Sequence, residues 1–266
     1  MGIGPIGVFD SGMGGLTVLK EIAATLPSHD TIYLGDTARV PYGVRSAETI
    51  RRYARENAEF LLLQGISVLV VACNTATAVA LDDLKERLPI PVFGVVEPGA
   101  KRAAAVAPRG TILVLATEAT TRSKAYERAI HLHAPAATVV GRACPMFVPL
   151  AEEGWVDNDV AKAAAHTYLG ELQKQFPVDA AVLGCTHYPL LRATIAAALG
   201  GAVPLIDSAR STAEDVAAAV GAGGSGVAKR RFFVTDAPER FAAIGSRFLG
   251  AAIDDVEHVD VPSLRS

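Results

Sequence analysis

Half of the 266 residues are hydrophobic and a fifth are charged, as in ordinary soluble globular proteins, and the length suffices for one large or two smaller domains with real cores. Twenty-five basic against 28 acidic residues leave a net charge of -3, which excludes an electrostatic case for binding nucleic acid or an anionic membrane. No apolar run approaches spanning length, the N-terminus lacks the basic region and apolar stretch of a signal peptide, and three cysteines, an odd number, argue against a disulfide framework and for a reducing cytoplasm.

From the N-terminus onward, short apolar runs alternate with longer helical periodicities. Strands are expected at 6–9, 31–34, 68–72, 92–95, 111–115, 138–141, 180–183, 203–206, 231–234 and 256–259. Between them the pattern turns helical. At 46–64, for example, Ile50, Tyr53, Ala54, Ala58, Leu61 and Leu62 form one apolar stripe, and Gly65 follows as a stop. Strands separated by helices mean βαβ units, hence an α/β fold of doubly wound, flavodoxin-like parallel sheets with helices on both faces. So many strands are expected to divide between two sheets. Crossings are expected at Glu97-Pro98-Gly99 and Asp207-Ser208, giving a first domain of 1–97 plus 208–266 and a second, inserted domain of 98–207. The stretch Ala-Gly-Gly-Ser-Gly at 222–226 reads as a flexible loop, and the alanine runs at 103–105, 163–165 and 217–219 as close helix packing.

The polar residues gather at strand ends. The first strand ends in Asp10-Ser11-Gly12-Met13-Gly14-Gly15, where glycines let backbone amides approach a bound anion, although Asp10 and Ser11 fit a simple helix cap equally well. The spacing matches neither GxGxxG nor the P-loop. The second strand leads to Gly35-Asp36 and then Pro41-Tyr42-Gly43. The third ends in Cys73-Asn74-Thr75, and a later strand ends in Cys185-Thr186-His187 in a matching setting. Each of these two cysteines follows an apolar run and a single small residue, and precedes a stretch able to start a helix. In open α/β sheets the carboxyl ends of the strands are where ligands bind. A lone buried cysteine is usually a small hydrophobe, and Cys144, in Arg-Ala-Cys-Pro-Met-Phe, is assigned to structure on that ground. Cys73 and Cys185 differ in their hydrogen-bonding neighbours, and as a pair they suggest two acid/base groups facing one substrate from opposite sides. No CxxC or Cys/His spacing supports a metal site.

Taken as an ordered set, Asp10-Ser-Gly-Met-Gly-Gly15, Gly35-Asp36 with Pro41-Tyr-Gly43, Cys73-Asn-Thr-Ala-Thr77, Phe147-Val-Pro-Leu-Ala-Glu-Glu-Gly154 and Gly184-Cys-Thr-His-Tyr-Pro-Leu-Leu191 closely resemble glutamate racemases, of the cofactor-independent aspartate/glutamate racemase superfamily. The resemblance covers nearly the whole chain. It implies two α/β domains related by a pseudo-twofold with the active site between them, glutamate as substrate, no cofactor, a homodimer, and D-glutamate made for peptidoglycan. Carried over by position, Cys73 and Cys185 would be the catalytic acid/bases, assisted by Asp10 and His187 respectively. Asp10, Ser11, Pro41, Tyr42, Gly43, Asn74, Thr75, Thr117, Thr120, Thr186 and His187 would hold the amino acid. Two rival classes are a thiol hydrolase built on Cys185 and His187 alone, and a non-catalytic binder of a small carboxylate.

Overall fold

The computed structural model describes residues 4–221 and 227–261, so the stretch 222–226 lies outside the described residues. Strand and helix alternate from the start: β1 (Ile6–Asp10), α1 (Leu16–Thr25), β2 (Thr31–Gly35), α2 (Ala47–Leu63), β3 (Val68–Val71), α3 (Asn74–Arg87), β4 (Val92–Gly94) and α4 (Val96–Val106). The middle of the chain continues with β5 (Thr111–Ala116), α5 (Glu118–Ser123), α6 (Ala125–His133), β6 (Thr138–Ala143), α7 (Phe147–Glu153), α8 (Asp159–Leu169), α9 (Leu172–Gln175), β7 (Ala180–Gly184), α10 (Arg192–Ala198) and β8 (Leu205–Ile206). It closes with α11 (Ser208–Val220), β9 (Arg230–Val234), α12 (Pro238–Leu249) and β10 (Val256–His258).

Two parallel-sheet α/β domains result. One sheet runs β10-β9-β2-β1-β3-β4 and the other β6-β5-β7-β8, and all the strand pairs are parallel. Both sheets therefore contain the order second-first-third-fourth, and the strand order reverses between first and third. Each cysteine of interest follows the third strand of its sheet, at the switch point where such sheets bind ligands.

The strands form where the sequence allows burial on both faces. Ile6–Asp10, Val68–Val71 and Ala180–Gly184 are buried throughout, as central parallel strands must be. β6, at an edge, is half-exposed. The expected strand at 203–206 shortens to Leu205–Ile206, because Pro204 has no amide to donate and serves only as an acceptor, for Ala181 N. α2 begins where Ser46 accepts from Thr49 N at 3.2 Å, and Gly65 beyond its end has φ +79°. Among the described residues no helix is long and apolar enough to cross a membrane.

Candidate active site

The two cysteine settings, alike in sequence, differ in three dimensions. Cys73 caps α3: its Sγ accepts from Ala76 N at 3.5 Å and meets Ser11 Oγ at 3.6 Å. Cys185 does not start an α-helix. It is followed by a tight 3-10 turn, Tyr188–Leu191, and α10 begins only at Arg192. The expectation of a helix N-terminus at both cysteines therefore holds for Cys73 alone. There the Tyr188 hydroxyl shares its one proton between Ala116 O at 3.0 Å and Cys144 O at 2.8 Å and anchors the segment to the neighbouring strand ends.

Both sulfurs line one cavity of about 130 Å³, with room for a small molecule only. Ser11, Pro41, Tyr42, Gly43, Asn74, Thr75, Thr117, Thr186 and His187 line it too, together with Val40, Val44, Glu118, Pro145, Val148 and Pro149. Of the residues expected at the site, only Asp10 and Thr120 lie outside the lining. Thr120 stands behind it in a triangle of hydroxyls, with Thr75 to Thr117 at 2.9 Å, Thr75 to Thr120 at 3.2 Å and Thr117 to Thr120 at 3.0 Å. Thr75 belongs to the first sheet's side and the other two to the second's, so the triangle joins the two.

Tyr42 reaches the cavity with its hydroxyl already committed. That hydroxyl donates to Asp36 and accepts from Asn57 Nδ2 at 3.0 Å. Asp36 in turn is gripped by Arg39 Nε at 2.7 and 2.8 Å, while the rest of the guanidinium bonds Glu56 and, at 2.9 Å, Asn57 Oδ1. This buried network fixes the loop that carries Pro41–Gly43. None of Arg39, Glu56 and Asn57 stands out in the sequence, because a fork geometry of this kind is made by packing and leaves no spacing signal.

Asp10 is fully buried. Its carboxylate accepts from Gly12 N at 2.9 Å and from Thr186 Oγ1 at 3.5 Å, and burial raises its pKa against the opposing pull of His187. The hydroxyl next to the Cys73 sulfur is that of Ser11, and Asp10 acts on the thiol through its charge. Burial and then that charge push the Cys73 thiol up to about 12, so it keeps its proton at neutral pH. On the opposite wall Cys185 Sγ lies 3.9 Å from His187 Nδ1, and His187 Nε2 lies 3.1 Å from Glu152 Oε1. Burial alone would lower the histidine's pKa. The hydrogen bonds to Cys185 and Glu152 outweigh it and raise His187 to about 10, so it is an imidazolium at neutral pH. Glu152 is held below the usual carboxylate range in return, its burial outweighed by the His187 contact. The site thus pairs a thiol with a second sulfur whose partner is a cation, across a space the size of a small metabolite.

Glu152 is the main functional residue missing from the sequence reading. It sits inside the Phe147–Gly154 segment singled out there, yet its link to His187, 35 positions away, depends on how α7 packs. The glycine-rich loop also has an unforeseen use. A Cβ on Gly14 would lie 2.3 Å from Thr186 Oγ1 and 2.5 Å from His187 Nδ1, so the missing side chain admits the second domain's residues into the loop. α1 begins after this loop with Gly15 as its cap and no side-chain cap of its own, while the Asp10 carboxylate bonds the backbone amides of Gly12 and Gly15 just ahead of the helix.

The comparisons with known proteins agree with this geometry. Residues 6–216 match the family model described as Asp/Glu/Hydantoin racemase. A glutamate racemase of Geobacter metallireducens is 54% identical over 261 residues, covering 96% of each chain. Among solved structures, a glutamate racemase of Bacillus anthracis is 40% identical with a TM-score of 0.91, covering 97% of this chain and 98% of its own. One from Francisella tularensis, solved in complex with D-glutamate, is 37% identical with the same TM-score of 0.91 and the same coverage, 97% and 98%. The chain is a member of the Asp/Glu/hydantoin racemase family of isomerases.

Proposed function

We propose that this protein interconverts L- and D-glutamate by passing the Cα proton between Cys73 and Cys185, without a cofactor. One sulfur removes the proton from one face of Cα as a thiolate, and the other, a thiol, delivers its own proton to the opposite face. Charge is conserved and the two sulfurs exchange protonation state in each turnover. By the resemblance to the family, Cys185 is the base towards L-glutamate with Cys73 completing D-glutamate, and the reverse reaction begins with Cys73 as the base. Asp10 and His187 assist the two sulfurs, and the α3 amides with Asn74, Thr75 and Thr186 hold the carboxylates. Ser11, the Pro41–Gly43 loop, Thr117 and Thr120 complete the pocket. The observation that carries this reading is the presence of both sulfurs on one small cavity, each on the switch-point strand of its own sheet. A hydrolase using Cys185 and His187 alone would leave Cys73 idle.

We extend the reading to the division of the chain, with 1–97 plus 208–266 closing against 98–207 around the substrate. From the resemblance in sequence we infer the wider setting: a cytoplasmic homodimer supplying D-glutamate for peptidoglycan. A chiral assay of the purified protein on L- and D-glutamate, without added pyridoxal phosphate and with aspartate in parallel, tests the proposal. Racemisation of glutamate from both hands is expected. Turnover of aspartate alone, or of neither, contradicts it.

A further inference from the structure

Tyr126, on α6, does not line the cavity, yet it touches both cysteine-bearing strand ends. Its ring fills the space beside Gly184, the residue before Cys185, where a Cβ would lie 3.1 Å from Tyr126 Cε2 and 2.8 Å from Leu115 O. Its hydroxyl donates to Asn74 Oδ1 at 2.6 Å, next to Cys73 in the other domain. A second hydroxyl, that of Ser208 at the head of α11, also bonds it. The side chain is almost completely buried, and burial keeps the phenol protonated, so it stays a donor throughout the physiological range.

A primary amide has an acceptor end and a donor end. Asn74 lines the cavity, and its acceptor end is taken by Tyr126. The end left for a ligand is Nδ2, which only donates, and a carboxylate only accepts. With the amide turned over, Oδ1 would face the carboxylate with lone pairs opposed, and the Nδ2 hydrogens would be wasted against the tyrosine. We propose that Tyr126 is a positioning residue: by holding Asn74 Oδ1 it commits the Asn74 amide to presenting its N–H donors to the substrate carboxylate. The inference deepens the proposed racemase reading and rests on it for the identity of the ligand.

Tyr126→Phe removes one oxygen and keeps the ring in its slot. Its KM for both hands of glutamate is expected to rise about tenfold, the worth of one hydrogen bond to a charged group, with kcat much less affected. Binding of glutamate measured by calorimetry gives the second readout, independent of turnover. Tyr126→Phe should weaken binding in the wild-type background and add nothing in an Asn74→Ala background, because the group it orients is gone. A structural role would instead lower the melting temperature and kcat, through a smaller active fraction, with KM unmoved. An active wild type with an unmoved KM in Tyr126→Phe, or an equal loss of binding in both backgrounds, overturns the positioning role alone. A wild type that neither binds nor racemises glutamate overturns the proposed function first, and this role with it.

Discussion

At the scale of single residues, the three thiols sort by what surrounds them. Cys144 is fully buried behind β6 and is absent from the cavity wall, whereas Cys73 and Cys185 face the cavity. Replacing either of the latter by alanine should lower racemisation at least about a thousandfold, as expected when a group that moves the proton is lost. Cys144→Ala should keep activity and cost about 1–2 kcal/mol of stability through the small void it leaves. Chiral turnover and thermal melts of the three variants check the sorting. The pH profile tests the histidine. Glu152 is one of the two partners that raise His187, so Glu152→Gln should lower its pKa. The imidazolium would then titrate earlier, and kcat/KM of the variant should fall more at pH 9 than at pH 7 relative to wild type. A uniform loss across that range would deny the Glu152–His187 pair its electrostatic role. The two cysteines were legible in the sequence because β-branched runs and polar followers mark strand ends. Glu152, Arg39 and Tyr126 were not, since each acts through a partner brought near only by packing.

At the scale of elements, the loop between β1 and α1 is one place where the domains touch. Its glycines are legible in the sequence as room for amides to approach an anion, and the structure adds a second use, since the space beside Gly14 is filled by Thr186 and His187. Gly14→Ala should therefore displace the catalytic wall of the other domain, and an error of about 1 Å there costs on the order of 100-fold in kcat/KM. Steady-state kinetics on a variant with an unchanged circular-dichroism spectrum checks this. Near-normal activity would mean that the loop yields easily. The helix expected after Cys185 marks the limit of local reading. The Pro-Leu-Leu sequence is compatible with a helix start, and only the anchoring of Tyr188 to two strand ends selects the tight turn.

At the scale of the whole molecule, the α/β alternation was legible from periodicity, and strand order was not. The crossing expected at Asp207-Ser208 assigns the last strands to the first domain, but nothing in the sequence says that β9 lies between β2 and β10. One apolar cluster runs from Ile6 and Val70 of the first sheet through Leu16 and Val216 to Leu113 and Leu183 of the second. The domains thus share a core on one side and meet across the cavity on the other, so the closure proposed above would exclude water from the site. A site with one base on each face of Cα has a direct isotopic consequence. In heavy water, starting from either hand of glutamate, solvent deuterium at Cα should enter the product almost exclusively, with little in the recovered substrate early in the reaction. Equal early labelling of substrate and product from both hands would contradict the two-cysteine site.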